Sequence, residues 1–361
     1  YFLAQAWRRM GHSVKSIGVD QLAKEYQSNS PSLSEKAATE KFITENGAQY
    51  DIIDIDHGFL PEMPTNLPDT LIVGRSVLFD AHRFHINPPE KQKLKTKISR
   101  IIKRHLIPPN ETPEEALKKL GKCLSGADLI NVTSELDIES AESLGIPNSK
   151  ICKFPYALDQ ITIDQLSNTE APTTNKAPQM VFLGTFDYRK GCLDLVECFR
   201  QLRTQHPTLT LTLIGAKGLH QTEKEVRAFF SKEENQYLQV HMTFAPETID
   251  KLLARKHVAI FPSYYEGFPF AVQETLAAGI PTIAYNTPGA HDLLPNEWLV
   301  EPGNVTEMCT RLSDAIASSD RVIRDKSKSI IQQFKWDTIS EDTLKCYEFH
   351  LSKKRMRQTT D

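Results

Sequence analysis

Short β-branched apolar runs alternate with helical patterns along these 361 residues, and more than half of the runs stop at glycine, proline or a charged residue. Such runs lie at 50–55 (YDIIDI), 71–77 (LIVGRSV), 128–133 (DLINVT), 150–154, 180–183 (MVFL), 209–214 (LTLTLI), 239–244, 257–261 (HVAIF), 282–285 and 298–300. Helical patterns at 114–124, 134–144, 193–203, 247–255, 271–278, 305–318 and 320–334 separate most of them, and a final one covers 336–351. This alternation is the signature of a parallel sheet with helices on its faces, so the fold class is α/β.

The alternation pauses over 162–179, a polar stretch rich in Thr, Asn and Pro that reads as a linker, and then restarts. A chain of this length suits two domains, each burying its own core. We divide it at 1–160 and 161–336, with a closing helix at 337–361. Residues 13–19 (SVKSIGV) read as a further strand. The chain opens inside a helical pattern, with Leu3, Trp7 and Met10 on one face and no strand before it, and so reads as missing its true start.

Apolar residues make up 40% of the chain and charged residues 25%, with a formal net charge of −3, which gives no general pull toward nucleic acid. Six scattered cysteines form no Cys-x-x-Cys pair, so neither a metal site nor a disulfide framework is indicated, and reduced thiols in a cytoplasmic protein are the simplest reading. No run of about 18 apolar residues is present. The most basic stretch, 91–105, places Leu94, Ile98, Ile101 and Ile102 on one helical face. Two readings stay open there: a solvated surface helix, or peripheral contact with anionic lipid at the inner face of a membrane.

Three places carry candidate chemistry. In the first, 261–281 (FPSYYEGFPFAVQETLAAGIP), a strand end runs through a tight loop into a helix that stops at Gly279 and Pro281. First-turn amides lack intrahelical partners, and the dipole favours negative charge, so this junction suits an anion. Glu266 and Glu274 flank it, although two Glu eight residues apart arise about once by chance in such a chain. The second place is the loop 184–191, whose Arg189 and Lys190 precede a helix and suit a diphosphate, or are simply a solvated pair. The third is the set of strand ends around His57, Arg75 and Ser76, where ligands of parallel sheets bind. Gly215 and Gly218 form no G-x-G-x-x-G, so a nicotinamide or flavin fingerprint is absent.

As an ordered set, FLGTFDYRKG (182–191), LTLIGAKG (211–218), PSYYEGFPFAVQETLAAGIPTIAYNTPG (262–289) and FKWDTISEDTLKCY (334–347), with 126–159 in the first half, resemble the retaining glycosyltransferases of family 4. The resemblance implies the GT-B fold, in which two Rossmann-like domains face each other across a cleft and a C-terminal helix crosses back to the N-terminal, acceptor-binding domain. It implies a nucleotide sugar as co-substrate, no other cofactor, no metal, and a glycan or lipid-linked acceptor. Carried onto this chain, Lys190 neutralises the diphosphate, with Arg189 beside it. Glu266 faces the donor sugar together with Gly267, Phe268 and Pro269, Glu274 holds the ribose, and Gly215 and Phe244 surround the base. His57, Arg75 and Ser76 fall on the acceptor side.

The chain departs from the family pattern at Thr185, where the family has Arg, and at Val77, where it has His. The family's first strand and glycine-rich loop would precede Tyr1. These departures keep a second class open: a non-catalytic GT-B protein that binds a nucleotide sugar or a partner.

Overall fold

The computed structural model describes residues 2–27, 34–61, 67–79, 81–82, 112–173, 177–318 and 321–358. The basic stretch 91–105 lies outside the described residues. Two compact units divide the chain: described residues up to 82, 112–156 and 336–358 form one, and 157–335 the other.

Unit one contains a parallel sheet of β1 (Ile52–Asp56), β2 (Leu71–Arg75), β3 (Leu129–Val132) and β4 (Ile151–Lys153), in that spatial order. Side chains alternate faces along a strand, so β2 feeds both sides of the sheet. Ile72 joins a core with Ile43, Leu60, Phe79, Leu124, Ile130 and Val132, while Leu71 and Val73 pack with Trp7, Leu129, Leu344, Tyr347 and Leu351. Burial on both faces is why β2 reads as an apolar run, Leu71 to Gly74. Trp336–Gln358, 23 residues long, supplies Leu344, Tyr347 and Leu351 to the second core, and Trp7 of Phe2–Arg9 bonds through its indole N–H to the Ser340 carbonyl at 2.9 Å.

Two expectations need correction. Residues 12–18 form no strand, and a helix, Val19–Gln27, begins where the strand was to end. The apolar alternation at 13–19 is real, but a strand needs a ladder partner. β1 pairs only with β2 among the described residues and stands at the sheet edge. The expected linker at 162–179 begins instead inside a helix, Gln160–Ser167, whose Ile163 and Leu166 are buried in unit two. Its start is fixed by Asp159, whose side chain accepts from the Thr162 amide at 2.9 Å.

Unit two is built on a six-stranded parallel sheet of β5 (Gln179–Leu183), β6 (Thr210–Ile214), β7 (Leu238–His241), β8 (Val258–Phe261), β9 (Thr282–Tyr285) and β10 (Leu299–Val300). Their spatial order is β10-β9-β8-β5-β6-β7. The chain starts in the middle, builds outward through β6 and β7, then returns to the other side of β5 with β8. Between β5 and β8 the direction of winding reverses, and that is where a doubly wound sheet opens a crevice at its carboxyl edge.

Candidate functional site

The loops leaving β5 and β8 flank that reversal, and they are joined by contacts on both sides of the backbone. The Tyr264 amide donates to the Arg189 carbonyl at 2.9 Å, and Arg189 Nη1 returns to the Tyr265 carbonyl at 2.7 Å. Gly191, at φ +72°, lies so close to the second loop that a Cβ would fall 2.0 Å from the Pro262 carbonyl oxygen. No side chain fits there, and the positive φ suits glycine as well.

Within this junction the three charged residues singled out from sequence meet at one atom. Lys190 Nζ lies 2.5 Å and Arg189 Nη1 2.9 Å from Glu266 Oε1. Lys190 and Glu266 are largely buried side chains, at 13% and 10% exposure, whereas Arg189 is 39% exposed. Two cations against one carboxylate leave the cluster with one positive charge to offer. Asp187 braces the loop: its Oδ1 accepts from the Lys190 amide at 3.0 Å, and its Oδ2 from the Thr185 hydroxyl at 2.5 Å. Thr185, which stands where the resembling family has Arg, therefore has its hydroxyl turned to Asp187.

Glu266 leads through Gly267 and Phe268 to Pro269, the N-cap of the helix Phe270–Ala277. A second turn backs this path. Gly289, at φ +77°, would put a Cβ 2.0 Å from the Gly267 carbonyl oxygen. The Phe268 ring packs on Phe334 at 5.6 Å. One turn and a half into the helix stands Glu274, whose carboxyl has no hydrogen-bond or ion-pair partner among the described residues. Burial pushes its pKa up to about 7. A half-buried carboxyl of this kind is available to groups that bring their own donors, such as ligand hydroxyls. Gly215, at φ +74°, abuts Phe244: a Cβ there would lie 3.1 Å from Phe244 Cε1. The two follow β6 and β7 on the same edge of the sheet.

The remaining candidates lie in unit one, at the carboxyl ends of β1 and β2. His57 and Ser76 are buried. Arg75 is committed inward: its Nε donates to Asp54 Oδ1 at 2.9 Å, its Nη2 bonds Asp54 Oδ2, and Nη2 also reaches the Tyr347 hydroxyl at 3.1 Å. Tyr347 in turn accepts from Asn131 Nδ2 at 2.7 Å and donates to Asp54 Oδ2 at 3.0 Å. This network ties the closing helix to the sheet.

A side-chain pairing that the sequence concealed lies beneath the second loop. Asp194, in the first turn of Cys192–Gln205, accepts at one oxygen from the hydroxyls of both Tyr264 (2.5 Å) and Tyr285 (2.6 Å). Its only trace in the sequence is a charged residue on the buried side of an apolar helix.

A parallel-sheet unit with fixed cations and a helix N-terminus at its switch point is an arrangement suited to an anionic ligand. Residues 166–334 match the family model described as Glycosyl transferases group 1. In sequence the chain is 25% identical to the glycogen synthase of Mycobacterium tuberculosis over 187 residues, 49% of this chain and 43% of that protein. The chain thus spans less than half the length of that relative. In structure it is similar to sucrose-phosphate synthase from Thermosynechococcus elongatus, with a TM-score of 0.64 at 16% identity over 94% of this chain and 82% of the other. It is also similar to the HepE protein of Anabaena in complex with UDP and glucose, with a TM-score of 0.60 at 14% identity over 92% and 84%. The fold is GT-B, and residues 166–334, just under half of the chain, are similar to group 1 glycosyltransferases.

Proposed function

We propose that this protein transfers a sugar, with retention of anomeric configuration, from a nucleotide-sugar donor to a glycan or lipid-linked acceptor. The observation that carries the reading is the convergence of Lys190, Arg189 and Glu266 at the switch point, beside the N-terminus of Phe270–Ala277. Breaking the bond between the sugar and a nucleoside diphosphate leaves negative charge on phosphate oxygen. In this reading Lys190, Arg189 and the first-turn amides meet that charge without a metal. Glu266, held by both cations, faces the donor sugar, and Glu274 accepts from the ribose hydroxyls. Gly215 and Phe244 border the base, and HepE, with its bound UDP and glucose, makes a uridine donor the first to try.

The new bond forms between the anomeric carbon and the acceptor oxygen as the carbon–phosphate oxygen bond breaks. The acceptor's hydroxyl proton passes to the departing phosphate oxygen, so no protein nucleophile is required. His57, Arg75 and Ser76 belong to the acceptor side through the unit that holds them. We place the protein in the cytoplasm, with residues 91–105 as a peripheral membrane contact.

Product formation from a panel of nucleotide sugars, with wild type and Glu266→Gln compared in the presence of EDTA, tests this reading. Transfer by wild type and its loss in the folded variant are expected, and full activity of Glu266→Gln contradicts the assignment. A second reading, a GT-B protein that binds a nucleotide sugar without turning it over, draws on the neutral Thr185, whose hydroxyl is bonded to Asp187. Calorimetric donor binding without transfer or hydrolysis favours that alternative.

A further inference from the structure

We propose that Asp194 is a positioning residue for Glu266, acting through Tyr264 to hold the loop that carries it. The inference rests on the function proposed for Glu266 and adds a residue that touches no substrate. Residues 262–269 have no regular secondary structure, yet every one of them is buried. Irregular backbone is ordinarily found at the surface, where water satisfies it, so this loop must be held by the protein itself. The backbone is held by Arg189 on the Tyr265 carbonyl, the Tyr264 amide on the Arg189 carbonyl, the Gly191 turn against Pro262 and the Gly289 turn against Gly267, and Glu266 is paired with Lys190 and Arg189. A further hold is a side chain of the loop. Tyr264 donates to Asp194 Oδ2 at 2.5 Å, two residues before Glu266.

Asp194 is only 6% exposed and shares its helix with the buried Leu195, Val196, Cys198 and Phe199, where an apolar residue would pack at less cost. A buried carboxylate is tolerable here because two phenol hydroxyls bond it and because it stands in the first turn, at the positive end of the helix dipole. Tyr285, the other donor, ends β9, is paired with Val300 of β10 and is fully buried, so it needs no tether. Tyr264 has no ladder. Its hydroxyl is therefore the bond through which Asp194 controls loop geometry.

The two tyrosines make the test, because each phenylalanine variant removes one similar hydrogen bond from the same oxygen. Amide hydrogen exchange over residues 262–269 and steady-state transfer kinetics are measured on Tyr264→Phe and Tyr285→Phe in the full 361-residue chain. Tyr264→Phe is expected to speed exchange in the loop about tenfold or more, and to lower kcat about tenfold while donor KM stays within about twofold. Tyr285→Phe is expected to lose comparable thermal stability, with loop exchange and kcat within about twofold of wild type. Unchanged loop exchange in Tyr264→Phe, or equal kcat losses in the two variants, overturns the proposal. If wild type transfers from no donor, the transferase reading fails by itself, and the exchange measurement alone decides the tether.

Discussion

Lys190 Nζ and Glu266 Oε1 lie 2.5 Å apart, although 76 residues separate them and they leave different strands. The two strands, β5 and β8, are neighbours in the sheet, so their loops emerge side by side at the point where the winding reverses. In the proposed function, a cation held in this way beside a helix N-terminus is an anion site prepared before the donor arrives.

Glu274 predicts a pH dependence. Its folded-state pKa of about 7 lies above the ordinary 4.5 because burial disfavours the charged form. Between these values the folded protein keeps a proton that the unfolded chain has released, so this group's contribution to stability falls as pH rises from 4.5 to 7, by about 3 kcal/mol. Glu274→Gln should therefore be more stable relative to wild type at pH 8 than at pH 4.5 in urea unfolding. Ribose hydroxyls donate to the carboxylate form, so nucleotide affinity should climb as pH passes through 7 in wild type and stay level in the variant. Calorimetry from pH 6 to 8 checks this.

Lys256 predicts the opposite slope at higher pH. Its ammonium bonds Thr212 Oγ1 at 2.9 Å and Gln179 Oε1 at 3.1 Å, with no carboxylate partner among the described residues, and burial lowers its pKa to about 8 from 10.5. Below pH 8 the folded protein carries a buried charge. From 8 to 10.5 the unfolded chain binds the extra proton, so stability rises with pH there, by about 3 kcal/mol from this group. Lys256→Met should remove that rise, as read by chemical denaturation at pH 7.5, 8.5 and 9.5.

Tyr347 is predicted to be the main polar fastening of the closing helix. Tyr347→Phe deletes a fully buried hydroxyl bonded to Arg75, Asn131 and Asp54. Buried partners left unpaired cost about 1–3 kcal/mol. Unfolding of unit one should shift to lower denaturant accordingly, and nucleotide binding by unit two should be unaffected.

Much of this was legible in the sequence for identifiable reasons. Strands such as Leu71–Arg75 and Val258–Phe261 are buried on both faces, so their apolar runs announce themselves. Glycines at 191, 215 and 289 stand where loops pass too closely for a side chain. What stayed hidden depends on partners distant in the chain. Residues 13–19 have a strand's alternation but no neighbouring ladder, and Gln160–Ser167 is a polar helix whose two buried residues look sparse when read alone. That Arg75 pairs with Asp54 was likewise not legible, since the two lie on neighbouring strands 21 residues apart. Asp194 reads as an interruption of an apolar face until Tyr264 and Tyr285, 70 and 91 residues away, arrive to bond it.

The most direct measurement is nucleoside diphosphate affinity against that of the bare nucleoside, by titration calorimetry on wild type and on Lys190→Ala. If Lys190 helps to hold a diphosphate at the β5–β8 junction, the folded variant should lose about 10- to 100-fold in affinity for the diphosphate, with nucleoside affinity essentially unchanged. Equal diphosphate affinity in the two proteins would contradict the account.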